Sequence, residues 1–248
     1  MKGESWPGEV YGLLEVIVIA LPLGIIAAAV AAYAFQRGRR RKRMEGLMAF
    51  AEEIGVDFHG GKAGPLPDEF GVSILVNAGS LPVTYQLLEG PLGPGSISVF
   101  DLEFSRTAHG RLYQNYLTVC AFYTGWRCAT LRVRPEGMME KAEALFGMKD
   151  MQVGDEDFDR RWHIRTSYEG FARAVLTEPV REFFTARPGL NLELYRDFFL
   201  LYYTPKFLGF FYSDRLKTCE TIRLVDDALK FAELIGSATQ PQSPSGES

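Results

Sequence analysis

Three histidines, three cysteines and one tight run of carboxylates are the residues whose types could carry chemistry. His59 lies among glycines, His109 in a turn and His163 on a strand. A catalytic histidine needs a nucleophile or a carboxylate beside it. The chain offers no GxSxG, HExxH or Cys/His signature around any of them. Cys120, Cys128 and Cys219 form neither a CxxC pair nor a zinc spacing with histidine. The run Gly90-Pro91-Leu92-Gly93-Pro94-Gly95 lacks the lysine and hydroxyl of a phosphate-binding loop, and its prolines remove amide donors, so it reads as a turn. Asp155, Glu156, Asp157 and Asp159 are the densest charge, and hard cations favour such oxygens. Asp155, Asp157 and Asp159 are therefore the metal-ligand candidates. Their spacing is not that of an EF-hand loop, and a solvated loop with Asp159 paired to Arg160 and Arg161 is the plainer reading. No catalytic residue, metal or cofactor is expected.

The elements that must position these residues form an α+β pattern. Met44 to Ile54 has an apolar stripe at helical spacing (Leu47, Phe50, Ala51, Ile54), and Gly55 suits a C-cap. Val56–Phe58 reads as a short strand and Gly60 to Phe70 as a loop. Val83–Glu89 and Ile97–Phe104 flank the Gly/Pro turn. The apolar phase slips between Val99 and Phe100, which a β-bulge near Val99 would reconcile. Tyr113–Tyr123 and Trp126–Arg134 flank Thr124-Gly125 and read as a hairpin, with Cys120 and Cys128 as cross-strand neighbours. Leu131 and Val133 alternate with Arg132 and Arg134, the pattern of a sheet with one wet face. Gly137–Phe146 reads as a helix and Phe158–Thr166 as a strand, with Trp162 and Ile164 inward and His163 and Arg165 outward. Two short helices follow at Tyr168–Leu176 and Pro179–Ala186. Leu192–Tyr195 and Phe198–Tyr203 read as a closing hairpin, and Ser213–Ile235 as a helix capped by Ser213. An antiparallel sheet with flanking helices, preceded by one transmembrane helix, is the expected fold.

That transmembrane helix is read at 10–36. Val16 to Phe35 has no formal charge and about the 20 residues that cross a 30 Å hydrocarbon core. Glu15 lies at the edge, where a carboxylate reaches water, and Pro22 is tolerated within a span. The basic stop follows at Arg37, Arg39, Arg40, Arg41, Lys42 and Arg43. By the positive-inside rule the short N-terminus (1–9) lies outside and the C-terminal part is cytoplasmic, at the inner (plasma) membrane. The basic run would attract anionic lipid head groups, by about 1 kcal/mol per charge near the surface. Ala20, Gly24, Ala28 and Ala32 recur every fourth residue, the small-xxx-small spacing that lets spans approach, so a homodimer through the span is an expectation.

The rest divides into a juxtamembrane helix (37–55), one soluble domain (56–235) and a polar, disordered tail (236–248). From Met44 onward 20 of the 27 Lys/Arg face 28 of the 31 Asp/Glu, a net charge of −8 within a chain of net −4. Such a body repels phosphate backbones, which argues against nucleic acid as partner. Nine aromatics lie between Tyr195 and Tyr212. Three readings stay open: sheet core, a patch at Phe207, Phe210, Phe211 and Tyr212 that receives a partner, or a loop dipping into the bilayer interface.

The order of Arg39–Arg43, Ala51-Glu52-Glu53-Ile54-Gly55, Phe100-Asp101, Arg134-Pro135-Glu136-Gly137 and Asp157-Phe158-Asp159-Arg160-Arg161-Trp162-His163-Ile164 carries a resemblance. Phe171-Ala172 and Val175-Leu176-Thr177-Glu178-Pro179-Val180 extend it. The chain resembles a widespread group of uncharacterised bacterial proteins with one N-terminal span, a basic stop and a cytoplasmic α+β domain. The resemblance implies the layout and no activity. The reading is a membrane-anchored, non-enzymatic binding or scaffolding module with a protein partner of unknown identity. A membrane-tethered hydrolase using His163 or the Asp155–Asp159 carboxylates is the alternative.

Overall fold

The computed structural model describes residues 8–65, 70, 73, 80–108, 111–136, 149–203 and 215–239. Two units divide at Gly46 and Leu47. The first consists of the N-terminal part of α1 (Gly8–Ile54), an unbroken helix of 47 residues with Pro22 inside it. Every described residue from Ala20 to Lys42 is exposed, including Leu21, Leu23, Ile25, Ile26, Val30, Tyr33 and Phe35. Within this stretch Ala20 to Gln36 carries no formal charge, and an exposed apolar surface of this extent is unusual for a helix in water. This is one helix long and apolar enough to cross a membrane. The juxtamembrane helix is its direct continuation, and at its end Leu47, Phe50 and Ala51 are buried in the second unit, as their spacing requires.

The second unit is built on a seven-stranded antiparallel sheet, flanked by helices, as expected. The strands are β1 (Asp57–Pro65), β2 (Ser80–Leu92), β3 (Gly95–Ala108), β4 (Arg111–Pro135), β5 (Lys149–Met151), β6 (Trp162–Thr166) and β7 (Leu190–Tyr203). The order is β1-β2-β3-β4-β6-β5, with β7 also on β4. β4 is the organising strand. Residues 119–123 pair with both β3 and β7, and residues 131–133 with both β6 and β7. β3 and β6 therefore take successive halves of one edge of β4, and β7 runs along the other.

Several sequence expectations are corrected here. Thr124-Gly125 is not a hairpin turn: β4 runs through it for 25 residues. Gly125 has φ +69, and the β4–β7 register shifts between Tyr123 and Cys128. A single left-handed residue makes a bulge, whereas a two-residue hairpin of the type I′ class needs two. Arg196 of β7, opposite Cys128, has φ +33, so the expected closing hairpin is likewise one kinked strand. Cys120 and Cys128 lie on the same strand, about 26 Å apart at 3.3 Å per residue, and cannot pair. The Gly-rich stretch after Phe58 is β1, an exposed edge strand with two register shifts, rather than a loop. Phe158–Thr166 is a helix turn, α2 (Glu156–Arg161), and then β6. Asp155 caps α2 by accepting from Phe158 N, a preference that outweighs the alternating pattern. The bulge near Val99 lies in β2 instead, where Leu87 is the extra residue between Gln86 and Leu88, while β3 pairs with β4 without a break.

α3 (Glu169–Val175), α4 (Glu178–Thr185) and α5 (Thr218–Thr239) complete the layer over one sheet face. α5 continues past Gly236 into the stretch read as tail. Phe122 stacks on Phe199 at 5.3 Å, and Phe199 meets Phe231 of α5 edge-on at 5.0 Å. Phe184 links Phe231, Trp162 and Phe158. The other face carries Phe100, Leu102, Leu117, Val119, Phe198 and Leu200, with Phe70 stacked on Phe100. Burial of both faces explains the phase slip of β3: Val99 and Phe100 point to opposite faces and each is buried. Gly95 admits no side chain, because a Cβ there would lie 2.1 Å from the Tyr123 carbonyl oxygen.

Candidate functional site

Polar side chains gather where β6, β4 and β7 run side by side. On β4, Arg132 and Arg134 alternate with Leu131 and Val133 in facing, but the expected wet face is largely covered: Arg134 is 7% exposed and Glu193 opposite Arg132 is buried. The register sets Arg132 directly opposite Arg165 of β6 and Glu193 of β7, and Arg134 opposite His163. Opposite residues share a face, so three guanidinium groups, an imidazole and a carboxylate meet on one surface.

The contacts have a definite chemistry. Arg134 donates from Nε (3.2 Å) and Nη2 (3.1 Å) to His163 Nδ1. An arginine can only donate, so Nδ1 is the unprotonated nitrogen and Nε2 carries the proton. His163 Nε2 then faces Asp150 Oδ1 of β5 at 3.2 Å, and Arg165 Nε faces the same oxygen at 2.8 Å. Arg132 donates to the Tyr195 hydroxyl at 2.8 and 3.0 Å, and the Tyr195 and Tyr202 hydroxyls donate to Glu193 at 2.5 and 2.7 Å. Glu193 is only 2% exposed, and Arg132 lies 3.8 Å from it. Burial first, and then the Glu193 carboxylate, raises both phenols well above their ordinary range. Burial pulls Arg132 down, but Glu193 and Tyr195 more than restore it, and the net direction is upward. A small depression lies over these groups, lined by Arg132, Arg134, His163, Arg165, Asn191 and Glu193 among others.

His163 and Asp150 are the histidine–carboxylate pair that a hydrolase would need. Its ring cannot serve as a base as it stands, because Arg134 occupies Nδ1 and Asp150 faces Nε2. No Ser, Thr or Cys lines the depression.

The remaining candidates are dispersed. The acidic run builds a local clasp. Asp155 caps α2 and pairs with Arg181 at 3.0 Å, and Asp159 accepts from the Val153 and Gly154 amides. The Phe158 amide, and Arg181 after it, hold the Asp155 carboxyl below its usual range. Asp157 pairs with Arg160 in solvent. Among the described residues, no three His, Cys, Asp or Glu side chains stand together so as to hold a metal ion. His59 lies 3.6 Å from Glu89 at the exposed edge of the sheet. His109, Gly137–Phe146, the Ser213 cap and the patch at Phe207, Phe210, Phe211 and Tyr212 lie outside the described residues. The other half of the aromatic segment is sheet core: Tyr195, Phe198, Phe199 and Tyr202 are buried. Ala20, Gly24, Ala28 and Ala32, with Arg37, Arg39, Arg40, Arg41 and Lys42, are exposed along α1, and Arg43 is half-exposed.

One cluster escaped the sequence altogether. Arg215 lies over the rings of Tyr116 (4.3 Å) and Tyr85 (5.0 Å) and pairs with Asp101 at 3.1 Å and Glu103 at 3.8 Å. Asp101 also accepts from Thr118. No local pattern joins residues so far apart in sequence.

No protein-family model and no curated protein matches the chain. A solved structure does: the crystal structure of the mycobacterial trehalose monomycolate transport factor A, TtfA. The TM-score is 0.53 at 11% identity, over 82% of this chain and 99% of that one. The chain shares the fold of TtfA. Helices and strands occur in the same α+β arrangement over nearly all of the TtfA chain, so the fold does not rest on this sequence alone.

Proposed function

We propose that this protein is a membrane-anchored, non-enzymatic binding module, with its α+β domain displayed on the cytoplasmic face of the inner membrane. The observation that carries this reading is α1. A bare apolar run, six Lys/Arg from Arg37 to Arg43 and a buried stripe at Leu47, Phe50 and Ala51 follow one another on one helix. The charge asymmetry supports a cytoplasmic domain and a contact of the basic run with anionic head groups. Membership of the uncharacterised single-span bacterial group belongs to the same proposal, as does self-association through Ala20, Gly24, Ala28 and Ala32. The shared fold with a protein named as a transport factor is in keeping with service to a partner rather than catalysis.

Alkaline carbonate extraction tests the anchor. The full chain should stay in the pellet, and a chain lacking residues 10–36 should move to the supernatant. Release of the full chain would overturn the reading. The hydrolase alternative has one observation in its favour, the His163–Asp150 pair at 3.2 Å. It predicts an activity abolished by His163→Gln. The binding reading predicts that no hydrolytic activity changes with that substitution.

A further inference from the structure

We draw no further inference here: the strongest candidate, the exposed outer edge of β1 where Asp57 lies opposite Glu89, is broken by register shifts after Phe58 and Lys62, and nothing in the structure shows what covers it.

Discussion

Two arginine clusters on the sheet invite comparison. Around Arg215, one guanidinium faces two carboxylates and lies over two tyrosine rings. Around Arg132, Arg134 and Arg165, the carboxylates among the described contacts are Glu193, which is buried, and Asp150, which is largely in solvent. The first cluster is closed: its cation is matched and covered, and Asp101 is 1% exposed. The second is open on one side, where the Asp150 side chain is 67% exposed. Exposure of the partner carboxylate, rather than residue type, separates the two clusters.

The comparison breaks first at Asp101. Asp101→Ala should strand Arg215 against Glu103 alone and cost about 3–5 kcal/mol in urea unfolding, because removing one partner of a buried pair leaves an uncompensated charge. A loss below about 1 kcal/mol would mean that the closed cluster is not structural.

Alkaline pH probes the buried floor of the open cluster. Tyr195 and Tyr202 have raised folded values, from burial first and Glu193 second. Below about pH 10 both phenols are protonated in either state and contribute no pH dependence. Above it the unfolded chain loses protons that the folded one keeps. Stability should then fall with rising pH, by about 1.4 kcal/mol per unit for each tyrosine. Denaturant midpoints measured from pH 8 to 11 check the sign, and a flat profile would place these phenols in water.

Arg165→Gln should cost less than Asp101→Ala, since Asp150, one of the groups facing Arg165, is mostly exposed. A loss comparable with that of Asp101→Ala would make the two clusters alike.

The smallest effect is chemical. Cys219 is exposed and should alkylate at once, and Cys128, half-buried and pushed up by burial and then Asp197 to about 11, should react slowly. Cys120, buried and pushed up to about 12, should react only on unfolding. Mild oxidation should form no Cys120–Cys128 bridge, and mass mapping of peptides reads all three outcomes.

Much of this was legible from local chemistry. The apolar run with its basic stop, the Leu47–Phe50–Ala51 stripe, the two short helices and the alternation of Leu131 and Val133 with Arg132 and Arg134 each follow from periodicity within one element. The misreadings share a cause. Thr124-Gly125 and Arg196-Asp197 look like turns, because glycine and polar residues interrupt apolar runs. Both are matched kinks in neighbouring strands, and a matched kink is a property of the pair. Phe158–Thr166 alternates like a strand, but the Asp155 cap forms a helix turn first. The open cluster was half visible: the outward faces of Arg132, Arg134, His163 and Arg165 could be read, while their convergence needed the β4–β6 register. Arg215 with Asp101 is a contact across more than a hundred residues and leaves no local trace.

The central claim is a binding domain displayed on the cytoplasmic side of a single span. Protease accessibility of a C-terminal tag, in intact spheroplasts and in lysed cells, tests it most directly. The tag should be protected in spheroplasts and digested after lysis. Digestion in intact spheroplasts would put the domain outside the cell, against the charge asymmetry of α1, and would contradict the account.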